Sequence, residues 1–263
     1  MIAYRQPLPV SKSFALGALG LALFVGLWTA VSTSGLVTPT FLPTPAAVAR
    51  RFVELLGQPF AGGTLVAHMA SSVKRFLMGY LLAVAIGVPL GLMMGWFRLL
   101  DDIVTPLFDA LRFIAPIAWV PFAALWFGTG IGGPILIIFA GAFPPCLINA
   151  YRGAKYVDRR YLEAAEMLGT PSSRIITEIL LPASMPSIIA GLRTAAGLGW
   201  QSLVGAELIV ASTGVGYMMV QAQGAVSTPT VMCGMIGIGL VGVTIDVGLR
   251  AFESRVNRRL GKS

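Results

Sequence analysis

The stretch FLMGYLLAVAIGVPLGLMMGWF, residues 76–97, runs for 22 residues without a charged side chain. At about 1.5 Å of rise per residue, a helix of that length covers the roughly 30 Å hydrocarbon core of a bilayer. Gly87, Pro89 and Gly91 inside it are compatible with a membrane helix, because neighbouring helices satisfy the backbone groups that such residues free. Outward from this stretch, five more segments pass the same test, at about 14–31, 104–126, 131–150, 183–210 and 229–249. The sequence predicts an all-α, polytopic membrane protein with about six transmembrane helices.

Composition agrees. Of 263 residues, 56% are hydrophobic and 11% charged, against about 25% charged in soluble domains. So few charges cover a surface only if lipid covers most of it. The net charge of +8 does not point to nucleic acid, since no basic face is interleaved with accessible aromatics. Basic residues collect instead in the cytoplasmic loops of membrane proteins. Cys146 and Cys233 lie in apolar stretches without metal-ligand spacing and read as packing residues. The single histidine, His68, has no catalytic partner nearby and reads as incidental. The first apolar run, Phe14 to about Val31, exceeds the 7–15 residues of a signal core and is expected to be a retained span.

Orientation follows from lysine and arginine. With the N-terminus inside, the inner segments hold 13 of the 19 basic residues, Arg5, Lys12, Arg98, Arg152, Lys155, Arg159, Arg160, Arg174, Arg250, Arg255, Arg258, Arg259 and Lys262. Arg50, Arg51, Lys74 and Arg75 fall outside, while Arg112 and Arg193 lie near the inner ends of spans and are expected to snorkel. That asymmetry predicts a multi-pass protein with both termini cytoplasmic. The expected organisation is an N-terminal span with an outer amphipathic segment (1–75), a core (76–250) containing a polar loop at 151–182, and a basic tail (251–263). In the outer segment, Val48, Phe52 and Leu55 share one face, predicting a short helix from Pro45 lying on the membrane surface. A stretch from Thr64 leads directly into the second span. The run Gly234, Gly237, Gly239 and Gly242 offers a close helix contact.

The polar loop has its own punctuation. Asp158 is placed to cap a helix through Arg159, Tyr161, Glu163 and Glu166 that ends at Gly169. Thr170 is expected to cap a second helix opened by Pro171, with Pro182 marking the turn into span five. The product is a compact cytosolic knob whose apolar face needs a partner. Its segment EAAEMLGTPSSRIITEILLP, residues 163–182, resembles the EAA loop of binding-protein-dependent ABC permeases. That pattern is Glu-Ala-Ala, a glycine six residues after the Glu, then Ile, one residue and Leu-Pro. Glu163, Ala164, Ala165, Gly169, Ile179, Leu181 and Pro182 fall on it without a gap.

The resemblance extends over about residues 40–250 through FLPTPAAV (41–48), VKRFLMGYLLAVAIGVPLGLMMG (73–95), APIAWVPFAALWFG (115–128) and GLGWQSLVGAELI (197–209). These stretches look closest to the nitrate, sulfonate and taurine branch. The resemblance implies a type I ABC importer permease fold in the bacterial inner membrane. It implies a homodimer, two ATPase subunits docked on the paired loops, and an extracytoplasmic substrate-binding protein. Cargo would be a small anionic or zwitterionic solute, with aromatic acids and vitamin precursors as alternatives in the same branch. Physically, Ala164 and Ala165 permit close approach, Gly169 makes the turn, and Glu163 has room to cap or salt-bridge within the loop.

No GxxxxGK[ST] phosphate loop, Ser/His/Asp set or metal cluster occurs in the sequence. The chain is therefore expected to be non-catalytic and to bind no metal or cofactor, with ATP and Mg used by the partner ATPase. The rival reading, a self-sufficient secondary transporter or channel, calls for inverted repeats or several intramembrane carboxylates. Glu207 is a single such carboxylate. It either lines the path or clamps Arg75, and the clamp is the expectation adopted. Trp200, Gln201 and Ser202, one to two turns earlier, are translocation-path candidates, with Trp119 and Gln221 as weaker ones. Asp109 and Arg112, three apart on one helix face, are expected to pair.

Overall fold

A computed structural model describes residues 10–128 and 130–259. Arg5, Lys262 and the end of the expected basic tail lie outside the described residues. Among the described residues five helices are long and apolar enough to cross a membrane. They are α1 (Val10–Thr33), α3 (Leu65–Trp96), α6 (Gly132–Lys155), a continuous helix over Ser172–Val210, and α11 (Thr228–Arg259). Between α3 and α6 lie α4 (Arg98–Leu111), a 3-10 turn (Pro116–Trp119) and α5 (Val120–Phe127). The shorter elements are α2 (Pro45–Gly57), α7 (Arg159–Met167) and α10 (Val215–Gly224). Among the described residues the one extended pairing is an isolated bridge between Phe60 and Gly63.

The expected straight span at 104–126 is instead a bent pair. α4 and the leg formed by the 3-10 turn and α5 meet at 85°. Pro116 supplies the reason: the residue before a proline is pushed out of the helical region, and Ala115 is extended at φ −56°, ψ 138°. Counted as one span, the pair brings the total to six.

The second correction lies at Pro182, which does not turn the chain. The helix begins at Ser172 (α8, Ser172–Arg174), passes through a π-helical turn at Ile175–Leu180 and continues as α9 (Leu181–Val210). A proline ring inside a regular helix clashes with the carbonyl four residues earlier. The wider turn directly before Pro182 accommodates it, so the helix extends into the loop without a break.

Helix α6 is the centre of the bundle, packed along its length against α3 and α9. The approach to α3 is set by a glycine stripe. A Cβ on Gly79 would sit 2.7 Å from Ile138 Cβ, one on Gly95 would sit 2.5 Å from Ala154 Cβ, and one on Gly91 would strike the Leu147 carbonyl. On the α9 side, Gly191 takes the same part against Asn149. The glycine run expected to make the close contact is looser, and Gly239 has nothing within 4 Å of its Cβ position. Of that run Gly234 alone is tight, against Met219.

Phe76, Tyr80 and Trp200 join α3 to α9, with Phe76 stacked on Tyr80 at 5.3 Å and edge-on to Trp200 at 5.5 Å. Helix α2 forms where expected, capped by Thr44, whose hydroxyl accepts from Ala47 N–H at 3.3 Å. Its apolar face is covered by protein: Val48 and Leu55 are buried with Leu65, Val215, Met218 and Cys233. Helix α3 starts at a Thr64 cap and runs unbroken through position 76, so an N-terminal unit ending at 75 stops inside a helix. Cys146 and Cys233 are buried and unbridged.

Candidate functional site

Three polar places interrupt the apolar bundle: the loop knob, a buried node near the opposite end of α9, and a cavity between them. In the knob, Asp158 caps α7, its carboxylate accepting from Arg160 N–H at 3.1 Å. Helix α7 ends in a paired turn, Gly169 N–H donating to Glu166 O (2.9 Å) and Thr170 N–H to Ala165 O (3.0 Å). That pattern requires a left-handed residue at the first of the two donors, and Gly169 supplies it at φ +69°. Thr170 does not cap the following helix; Pro171 holds that position without a side-chain bond.

Within the knob, Ala165, Ile175 and Leu180 are buried, joining α7 to the π turn, while Ile179 is half-buried and Leu181 exposed. Glu163 and Ala164 are exposed, and Glu163 neither caps nor pairs with any described residue. Beside them Met167 is 88% and Leu168 84% exposed. Two large apolar side chains thus stand free on an otherwise polar hairpin.

The second place gathers around Glu207, 1% exposed. Arg75 Nη1 donates to its Oε1 at 3.0 Å and to Thr213 O at 2.6 Å, and Arg75 Nη2 bonds the Thr213 hydroxyl. Ser72 Oγ lies 2.8 Å from both carboxylate oxygens and accepts from Val215 N–H at 3.0 Å. Gly216 N–H donates to Glu207 Oε2 at 3.0 Å. The carboxylate therefore also caps α10, where the helix dipole favours a negative charge. Gly214, at φ +113°, has no room for a Cβ because the Glu207 carboxylate occupies that space.

His68, expected to be incidental, belongs to the same node. Its Nδ1 accepts from Gly214 N–H at 3.2 Å, which places the proton on Nε2, facing Phe60 O at 2.9 Å. His68, Ser72 and Arg75 lie four and three residues apart, a polar stripe on one face of an apolar helix. That spacing is the signal by which the sequence could have revealed the node.

The third place is a cavity of about 350 Å³ between the bent pair, α6 and α9. Gln201 and Ser202 line it, with Ser202 donating to Leu198 O at 2.7 Å. Trp200 does not; it is buried in the aromatic cluster, its indole N–H donating to Ile238 O at 3.2 Å. Successive residues of a helix point about 100° apart, which separates Trp200 from its neighbours. Glu207 is not on this cavity either. Trp119 packs edge-on to Phe122 at 5.8 Å and lines a neighbouring, mostly apolar space of about 280 Å³. Gln221 is exposed on α10.

Arg112 lines both spaces. It does not sit at an inner helix end: it closes α4 at the bend, level with Ala140 to Pro145 near the middle of α6. The expected pair with Asp109 is present at 2.8 Å. Arg193 does not snorkel freely, being held by Asp246 (2.9 Å) and Glu253 (3.5 Å) of α11. Among the described residues no group of three or more histidine, cysteine or carboxylate side chains is arranged to hold a metal ion.

Five membrane-length helices with a bent pair among them, a polar hairpin with a bare apolar tip and a cavity that brings a few polar groups between the helices define the class: a helical membrane-transport subunit. The family follows from comparison. The model of the binding-protein-dependent transport system inner membrane component family matches residues 87–262, and the chain belongs to that family. It is 34% identical to the taurine transport system permease protein TauC of Escherichia coli, over 97% of this chain and 92% of that protein. It is 33% identical to the putative aliphatic sulfonates transport permease protein SsuC of Bacillus subtilis, over 91% of this chain and 86% of that one. The fold is shared with a solved structure of the MetNI methionine ABC transporter in an inward-facing conformation. There the TM-score is 0.58 at 17% identity, covering 74% of this chain and 95% of the other. The chain is thus a permease, a non-catalytic membrane subunit, of the nitrate, sulfonate and taurine branch.

Proposed function

We propose that this chain forms the translocation path of an ATP-driven importer that carries a small anionic or zwitterionic solute of the taurine, alkanesulfonate or nitrate class into the cytoplasm. The observation that carries the reading is the knob: Met167 and Leu168 stand exposed beside Glu163 and Ala164 on a hairpin capped at Asp158 and turned at Gly169. Exposed apolar side chains on a polar loop mark a partner surface, and family membership implies an ATPase and a substrate-binding protein as partners. The seven residues Glu163, Ala164, Ala165, Gly169, Ile179, Leu181 and Pro182 are assigned to ATPase coupling. The helix that starts in the knob continues without a break into α9, so a push on the knob is delivered directly to a helix that lines the cavity.

Two copies work together, each providing half of the path, with one ATPase seated on each knob. Both termini and the 151–182 loop face the cytoplasm, and lipid covers the outer faces. ATP and Mg act in the partner subunits; this chain binds no cofactor. Binding of ATP draws the knobs together and biases a two-state equilibrium toward the outward-open path. The similarity to permeases named for taurine and aliphatic sulfonates supports the cargo class.

The test is co-expression with the ATPase and binding protein encoded beside the gene, followed by co-purification and uptake of radiolabelled taurine. Gly169→Val, which forces a β-branched residue to φ +69°, and Glu163→Lys are expected to lose ATPase co-purification and uptake together. Full retention of both properties in both variants overturns the reading.

A further inference from the structure

We propose that Arg112 and Gln201 form an anion-selecting waypoint midway across the membrane, at which the charged group of the cargo pauses between outer and inner openings. The proposal deepens the importer reading and rests on it for the identity of the cargo.

Four observations converge. First, the cavity of about 350 Å³ that holds both residues falls in the size range of small-molecule sites, about 300–1,000 Å³. Second, its walls are chiefly apolar, with Ile114, Ile117 and Pro144 among them, and its polar groups converge from two elements: a guanidinium from the bend and an amide from α9. Third, the only ion pair of Arg112 among the described residues runs through Nε to Asp109, and neither terminal nitrogen has a hydrogen-bond partner there. Fourth, Arg112 lies level with the middle of α6. A charged side chain at that depth is expensive and ordinarily faces a water-filled path or a partner.

The chemistry selects a class of ligand. A guanidinium stays charged at any physiological pH and presents a planar fork that suits oxyanions. Sulfonate, nitrate and carboxylate all offer the matching oxygens. The Gln201 amide, exposed and without a described partner, adds a donor for the anion and an acceptor for a zwitterion's ammonium. A waypoint must also release its cargo, because conduction needs binding strong enough to enter and weak enough to leave. Asp109, half-exposed at 2.8 Å, meets that need by offsetting part of the cation, so the anion exchanges with an internal counter-ion. Ser202 is not assigned a ligand role, since its hydroxyl proton is committed to Leu198 O. The bend is what creates the site: a straight helix through 104–126 would leave Arg112 on a helix flank instead of at an opened end.

The experiment has two arms. In the first, Gln201→Cys is introduced into the otherwise unaltered full chain in membrane vesicles. The thiol is reacted with a methanethiosulfonate bearing either a sulfonate or a trimethylammonium group. Buried Cys146 and Cys233 give the blank in the parent chain. The anionic reagent is expected to react faster by about tenfold, as one nearby fixed cation at intermediate dielectric produces. Adding Arg112→Gln is expected to remove the preference. In the second arm, the complete transporter is assayed for taurine uptake, where Arg112→Gln should lower uptake by about tenfold with ATPase co-purification intact, and Arg112→Lys should restore part of it. A labelling ratio that Arg112→Gln leaves unchanged overturns the waypoint whatever the uptake shows. An Arg112-dependent ratio in a transporter that moves no anionic solute supports the site and overturns the cargo reading instead. Wild-type taurine uptake by Arg112→Gln overturns the waypoint and leaves the importer reading standing.

Discussion

The knob and the Glu207 node lie on opposite sides of the bundle, and both are polar junctions between helices. They are built in opposite ways. The bonds of the knob are local, spanning a few residues of one hairpin, and two of its large apolar side chains, Met167 and Leu168, point outward. The node draws Ser72, Arg75, Glu207, Thr213 and Gly216 from three helices and a loop into a buried set, with His68 alongside. Within that set the one buried side-chain atom without a partner is Arg75 Nε. An exposed charge beside bare apolar groups awaits a partner molecule, whereas a buried carboxylate with three donors already has its partners. The contrast separates residues that couple from residues that hold.

If the contrast is right, substitutions should sort by what they damage. The largest loss of stability is expected from Glu207→Leu, which leaves the Arg75 cation and the Gly216 N–H without their acceptor. Breaking a buried pair by removing one partner costs about 3–5 kcal/mol. Thermal unfolding of the purified chain should show the loss, with Glu207→Gln intermediate because its amide oxygen still accepts from Ser72 and Gly216. An unchanged unfolding temperature for Glu207→Leu would break the comparison at its stronger end.

Next comes Gly91→Val. Its Cβ would strike the Leu147 carbonyl, and overpacking of this kind costs about 1–3 kcal/mol. Gly239→Ala, with nothing within 4 Å, is the control and should leave unfolding unchanged. Equal behaviour of the two would mean that α3 and α6 are not held at glycine contact.

His68→Ala removes an acceptor from Gly214 N–H and a donor from Phe60 O. About 1–3 kcal/mol is expected from an unsatisfied buried group, and His68→Gln should recover part of it in the same unfolding measurement. Smallest for stability is Leu168→Ala, within about 0.5 kcal/mol of the parent because the side chain is already exposed. Its effect should appear in ATPase co-purification instead. A stability loss at Leu168 as large as that at His68 would show that the knob is packed internally and has no partner surface to offer.

The sequence by itself determined the membrane class, the number of crossings and the knob. Each rests on local signals: runs of apolar residues, a cap at Asp158, a left-handed turn at Gly169 and a fixed motif between residues 163 and 182. The pairing of Glu207 with Arg75 was also within reach, because two opposite charges in apolar surroundings at the same depth have little else to pair with. What only the tertiary structure decided depends on contacts between distant segments or on helix geometry across a proline. Pro116 stands at a break, with Ala115 before it at ψ 138°, while Pro182 follows a π turn inside a continuous helix. His68 gains its place through Phe60 and Gly214, the latter 146 residues away in sequence. Trp200 and Gln201 are adjacent in sequence, yet one enters the core and the other the cavity, since the helical rotation between them carries each to a different neighbour. Arg112 changes from an expected inner-end charge to one that lines a cavity level with the middle of α6, because the chain bends by 85° beside it.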